Sequence, residues 1–134
     1  MTPIILLHHN EIDFLQKCVN SIKLNTKSKY QIIIIDNKSN KKNIEILKRD
    51  FSKKYKVIFN PKDNWVYGFN LGIDSINYSW DRIVLSDSDI VFKKTKYGKC
   101  WLEYMHNQLN QFPIIGKLGI SLNTKILEKN KSLK

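Results

Sequence analysis

Hydrophobic positions along this chain follow two patterns. Short, nearly unbroken apolar runs occur at Pro3–Leu7, Gln31–Ile35, Lys56–Asn60 and Arg82–Ser86. Between them, apolar residues recur every three to four positions. A run of aliphatic and β-branched residues bounded by polar ones reads as a strand buried on both faces, whereas the wider spacing reads as an amphipathic helix. Ile12, Leu15, Val19 and Ile22 fall on one helical face with Cys18, and Asn10 is placed to cap that helix, with Asp13 three residues on as a weaker capping partner. Ile44, Leu47 and Phe51 mark a second helix over 43–54. Phe69, Ile73 and Ile76 mark a third, which Asn64 would cap and which runs to about Asn77.

Strands alternating with helices predict right-handed βαβ units. The expected fold is α/β: three layers, α/β/α, around a mostly parallel, doubly wound, Rossmann-like sheet. Beyond Phe92, Trp101, Leu102, Met105 and Leu109 mark a helix over 98–112, and Gly116–Leu122 reads as a glycine-flanked strand. Glu128–Lys134 is lysine-rich and reads as a frayed tail. Neither an internal repeat nor an interdomain linker interrupts the pattern, so residues 1–134 are expected to form a single domain.

Composition narrows the picture. Hydrophobic residues make up 42% of the chain, enough for a core. No apolar run approaches the ~20 residues of a membrane span, and no charged segment precedes Pro3–Leu7 as in a signal peptide. Cys18 and Cys100 read as reduced core thiols of a cytosolic protein. The net charge of +11 invites a nucleic-acid partner, but Arg49 and Arg82 are the only arginines among 23 basic residues. Specific base and phosphate recognition favours the arginine fork, and these lysines are spread along the chain. A specific nucleic-acid function is therefore not expected. Peripheral contact with an anionic membrane, at its inner face, is compatible with the charge.

The candidate chemistry gathers at one edge. In a parallel sheet, ligands bind outside the carboxyl ends of the strands, and His8, His9, Asp36, Asn60 and Asp87 all fall there. Asp87-Ser88-Asp89 closes the fourth strand. Spaced i, i+2 in extended backbone, its carboxylates would face one point, and two like charges so close call for a cation. A solvated turn is the bland alternative for that pair, as helix capping is for Asp36. His8 and His9 are adjacent, a spacing metal sites rarely use. The first strand is followed by His8-His9-Asn10 rather than a glycine-rich loop, which excludes the dinucleotide fingerprint and the P-loop.

Four stretches in order resemble the amino-terminal half of a family 2 glycosyltransferase with the GT-A fold. They are PIILLHHNEIDFLQKCVNSI, IIIIDNKSN, NWVYGFNLGI and RIVLSDSDIVF, spanning Pro3 to about Phe92. The resemblance implies a metal-dependent, inverting transferase of polysaccharide biosynthesis. Its donor would be a nucleotide-diphosphate sugar, with a lean toward UDP, and its acceptor a saccharide or a lipid-linked hydroxyl compound. It implies Mn²⁺ or Mg²⁺ at the Asp-x-Asp motif, with Asp87 and Asp89 as metal residues; Asp89 would bind the cation and Asp87 the ribose or a metal-bound water. It further implies a nucleotide-sugar site built from His8, Asn10, Asp36, Asn64, Gly68, Asn70, Asp87 and Ser88, with Asp36 accepting a base N–H or a ribose hydroxyl.

Departures from the family pattern set further expectations. Lys38 stands where glycine is common, Phe69 where arginine is common, and the loop from Asn64 to Asn70 is short. No acidic motif for the catalytic base follows Asp89; Glu103, inside a helix, is the first candidate for that role. The acceptor side is accordingly expected to be truncated or minimal. Two alternatives stay open: a non-catalytic nucleotide-sugar-binding module, and a haloacid-dehalogenase-type phosphotransferase, whose nucleophile motif is also a buried strand followed by Asp-x-Asp.

Overall fold

The computed structural model describes residues 1–121. Four parallel strands form one sheet: β1 (Thr2–His8), β2 (Tyr30–Asn37), β3 (Lys56–Asn60) and β4 (Val84–Asp87), in the order β3-β2-β1-β4. Ile4–Leu7 of β1 lie beside Ile32–Ile35 of β2 on one side and beside Val84–Asp87 of β4 on the other. Every side chain in these two aliphatic runs is buried, as unbroken apolar strands require.

The helices complete three layers. Helix α1 (Ile12–Asn25) and helix α2 (Lys41–Ile46) cover one face. A π-helical turn, Leu47–Phe51, extends α2. Leu15, Val19, Ile22, Leu47 and Phe51 pack there against Ile4, Leu6, Ile32 and Ile34. The opposite face, made of Ile5, Leu7, Ile33 and Ile35, is covered by Phe69, Ile73 and Ile76. Phe69 and Ile73 belong to α3 (Gly68–Asp74). Gly72 brings α3 within van der Waals range of the sheet: a Cβ there would lie 2.7 Å from Ile5 Cγ2. Helix α4 (Trp101–Gln111) returns to the α1 face, where the Trp101 indole N–H donates to Thr26 Oγ1 at 2.9 Å.

Several local expectations are corrected. Asn10 does not cap α1; Glu11 holds that position without a side-chain bond. Helix α2 starts earlier than its apolar spacing indicates because Asn40 caps it, accepting from the Asn43 N–H at 3.0 Å. Asn64 does not cap α3, since its Oδ1 accepts from Asn60 at 2.7 Å and a 3₁₀ turn, Trp65–Tyr67, intervenes. Strand β4 is not buried on both faces: among the described residues it is the sheet edge, and Leu85 is 47% exposed. Arg82 lies outside β4, held by the His106 carbonyl and the Asn110 side chain of α4. Residues 116–121 form no strand; Leu122 and the tail Glu128–Lys134 lie outside the described residues.

Candidate functional site at the carboxyl edge

The sheet order creates one crevice. From β1 the chain passes to β2 on one side, while β4 pairs on the other, so the connections diverge between β1 and β4. Such a switch point opens a ligand cleft at the carboxyl ends. The residues there are His8 from β1 and Asp87-Ser88-Asp89 from β4.

Ser88 ties the two strand ends together. Its backbone N–H donates to the Leu7 carbonyl at 2.9 Å, and its Oγ lies 3.1 Å from His8 Nδ1. Both side chains are buried. Burial, reinforced by the charge of His9, lowers the His8 pKa from 6.5 to about 4, so the ring is neutral at physiological pH. The chain turns at Ser88, so Asp87 and Asp89 do not share one extended segment as their spacing predicts. Both are exposed nonetheless, and they still interact. Partial burial of its carboxyl and the charge of Asp89 raise the Asp87 pKa above the usual carboxylate range. Asp89 also reaches α1 electrostatically: burial first, then its charge, pushes the Cys18 thiol up to about 12.

The β2 end is more enclosed. Asp36, paired in register with His8, is 1% exposed. Its Oδ2 accepts from the Ser39 N–H at 3.2 Å, a turn bond ahead of α2, whose cap is Asn40 rather than Asp36. Its Oδ1 is buried and unpartnered, as is His8 Nε2. A polar atom in that position calls for a partner, which a ligand N–H or hydroxyl would supply to Asp36. His9 Nδ1 lies 2.6 Å from the Asn37 carbonyl, which it must donate to, leaving Nε2 to accept from Asn10 Nδ2 at 2.8 Å. Both ring nitrogens of His9 are thereby used.

Each of the first three strands is followed by one residue in the left-handed region: Asn10 (φ 61°), Lys38 (φ 56°) and Trp65 (φ 52°). Asparagine tolerates that backbone; lysine and tryptophan do so rarely. At Lys38 glycine would adopt this backbone without strain. Asn10 serves the site as scaffold, its N–H donating to Ser39 Oγ at 2.7 Å and its Oδ1 accepting from the Asn40 N–H at 2.7 Å. Gly68 is buried against Asn37, where a Cβ would lie 2.6 Å from Oδ1, while Asn64 and Asn70 are exposed.

Asn37 and Asn60, aligned in register at the ends of β2 and β3, form a buried amide pair that sequence reading left without a role. Asn60 Nδ2 donates to Asn37 Oδ1 at 2.9 Å, and Asn37 Nδ2 donates to the Trp65 carbonyl at 3.0 Å. Two asparagines closing neighbouring strands were the available signal.

Other candidates lie elsewhere. After Asp89 the chain runs back along α1: the Phe92 N–H donates to Ser21 Oγ, and Asn25 Nδ2 donates to the Phe92 carbonyl. Lys93, Lys94, Lys96 and Lys99 follow as exposed residues beyond that contact. Glu103 accepts from Ser28 Oγ at 3.3 Å, between α1 and β2, and so sits away from Asp87. Its candidacy as base is not supported by that placement.

Asp87 and Asp89 suit a hard divalent cation in one limited sense. Among the described residues no cluster of three or more metal-ligating side chains forms, so within them the site offers this carboxylate pair. A cation such as Mn²⁺ or Mg²⁺ often takes its remaining oxygens from water and substrate phosphates.

Comparison with known proteins bears on the family and the fold. Residues 4–115 match the family described as Glycosyl transferase family 2. No curated protein matches. Among solved structures, the chain is similar to the crystal structure of S. aureus TarS 1-349, with a TM-score of 0.60 and 12% identity. That likeness covers 90% of this chain and 38% of the other, and it concerns the fold.

Proposed function

The chain belongs to glycosyl transferase family 2, and from that membership and its carboxyl edge we propose that it binds a nucleotide-diphosphate sugar, with UDP as the favoured nucleotide, for glycosyl transfer to a hydroxyl acceptor. The observation that carries this reading is that one carboxyl edge of the sheet bears an exposed carboxylate pair, Asp87 and Asp89, and, on the other side of β1, a buried carboxylate with a free oxygen, Asp36. Asp36 accepts a base N–H or ribose hydroxyl through Oδ1, while Ser39 holds Oδ2 in place. Asp87 and Asp89 hold a divalent cation, which when bound supplies Lewis-acid neutralisation of the diphosphate. Ser88, bound to His8 and to the Leu7 carbonyl, fixes the turn that presents both carboxylates. Family membership sets aside the phosphotransferase reading.

Calorimetric titration of UDP tests this, with and without Mn²⁺, on the wild type and on Asp89→Ala. The expected result is metal-dependent binding that Asp89→Ala removes. Affinity indifferent to both metal and mutation would reject the site. Asp36→Ala is expected to weaken UDP by about 1–3 kcal/mol, the range for a hydrogen bond to a charged group. It also loses the turn bond to the Ser39 N–H, at a stability cost of about 1 kcal/mol.

The position of Glu103 favours a second reading, donor binding without turnover, because among the described residues no candidate base accompanies the carboxylate pair. Robust Asp89-dependent transfer to a saccharide acceptor by the 134-residue chain would reject it.

A further inference from the structure

Trp65 combines three properties that conflict unless its side chain has a use. It is 78% exposed, it occupies the left-handed backbone region at φ 52°, and its carbonyl is held by a buried amide. A bulky residue at positive φ is an outlier that persists only where surrounding bonds impose it. Here Asn37 and Asn60 impose it: Asn60 Nδ2 donates to both Asn37 Oδ1 and Asn64 Oδ1, and Asn37 Nδ2 holds the Trp65 carbonyl. Glycine would satisfy this backbone without strain. Buried polar groups at the ends of two strands thus fix an indole that packs into no core.

The same strand end carries Asp36, whose Oδ1 lacks a partner. Asp36 and Asn37 are consecutive in β2, so their side chains leave on opposite faces of the sheet, and a ligand that touches both the free carboxylate oxygen and the ring must lie across the end of the strand. A ligand that takes a hydrogen bond at its edge and a stacking contact on its face matches that pairing, and a nucleobase has both. Stacking on an aromatic side chain also tolerates any base, since every base offers a π-face.

We infer that the Trp65 indole is the stacking surface for the heterocyclic base of the donor nucleotide. This rests on the donor-binding reading above and assigns that site a residue outside the carboxylates. Diphosphate binding, centred on Asp87 and Asp89, does not depend on it.

The experiment compares wild type, Trp65→Gly and Trp65→Phe by calorimetry, using UDP with Mn²⁺, uridine, and pyrophosphate with Mn²⁺. Trp65→Gly removes the ring and suits the positive φ, so its melting temperature is expected to match or exceed that of the wild type. UDP and uridine affinity are expected to fall about ten-fold or more in Trp65→Gly and to be largely retained in Trp65→Phe, while pyrophosphate is unchanged. Equal UDP affinity in wild type and Trp65→Gly overturns the inference while leaving the donor reading standing. So does a parallel loss of pyrophosphate, which would make the turn a general support of the edge. A wild type that binds no UDP overturns both. A co-sedimentation arm uses vesicles of phosphatidylglycerol and phosphatidylcholine. Loss of vesicle binding in Trp65→Gly, with UDP affinity intact, would make the ring a membrane contact and overturn the inference.

Discussion

The two outer sides of β1 differ sharply. Toward β2 the sheet is finished: Ile32–Ile35 are buried, α1 and α2 close one face and α3 the other. Toward β4 it is open, with four strand residues of alternating burial and Leu85 47% exposed. A cavity of about 730 Å³ lies along this side, bordered by Ile83–Asp87, α4 and residues 116–120. Yet the carboxylate pair proposed to hold the cation sits on the open side, and the buried Asp36 on the finished one. The finished half supplies rigidity, and Ser88 transmits it to β4 through His8 and the Leu7 carbonyl. A site that needs fixed carboxylates can therefore stand on an edge strand.

One large expected effect tests how tightly the finished half is closed. In Gly72→Val, the new Cβ would meet Ile5 Cγ2 at 2.7 Å and Ile5 Cδ1 at 2.8 Å, with Ile35 Cδ1 at 3.2 Å. Ile5 and Ile35 are fully buried and have no room to yield. Overpacking and the extra methyl groups are expected to cost about 3 kcal/mol, read from urea unfolding at pH 7. A neutral outcome would mean that α3 rides loosely on the sheet, and the contrast between the halves would weaken.

Much of that half was legible in the sequence. Ile4–Leu7 and Ile32–Ile35 are unbroken aliphatic runs, and such runs have one stable fate in a small domain: the middle of a covered parallel sheet. The helices on both faces followed from spacing. Arg82–Ser86 looked equivalent because Ile83, Val84 and Leu85 are equally apolar, and composition does not reveal whether a neighbour exists to cover them. At the site, strand ends could be located, since polar residues close the runs, and Asp36 and Asp87 were found that way. Hydrogen-bond partners could not be. Asn10, Ser39, Asn40 and Asn60 are all short polar residues near turns, and which of them caps, bridges or binds depends on distances set by tertiary packing. The left-handed backbone of Trp65 left no trace, because tryptophan is not a residue from which positive φ is inferred.

A pH series sharpens the link between the halves. Buried His8 has its pKa lowered from 6.5 to about 4, so between those values the unfolded chain binds more protons than the folded one. Stability therefore rises with pH across this window and is complete above about 6.5. It is lost as pH falls, by about 3 kcal/mol at most on reaching pH 4. His8→Gln keeps a polar group beside Ser88 and is expected to flatten the dependence between pH 6.5 and 4. A variant with the same slope as wild type would show that the His8 ring reaches water, and that the bond to Ser88 is not the buried tie described above.

The smallest expected effect bears directly on the open edge. Leu85→Ala deletes a side chain that is about half exposed, whereas Ile33→Ala deletes one from the fully buried centre of the sheet. The truncation cost combines lost transfer energy with the cavity left behind, and a surface position leaves little cavity. Ile33→Ala is thus expected to cost about 3–4 kcal/mol and Leu85→Ala under about 1 kcal/mol, measured side by side in urea. The ratio is more informative than either number, since both variants lose aliphatic carbon from one sheet. If Leu85→Ala costs as much as Ile33→Ala, β4 is covered in solution, and the covering partner must be identified. Self-pairing along the free edge would make the melting temperature rise with protein concentration, and Leu85→Ala would abolish that rise. If the temperature is independent of concentration and Leu85→Ala is nearly silent, β4 is an open edge. The carboxylates at its end then owe their placement to the Ser88 contacts rather than to packing around Leu85.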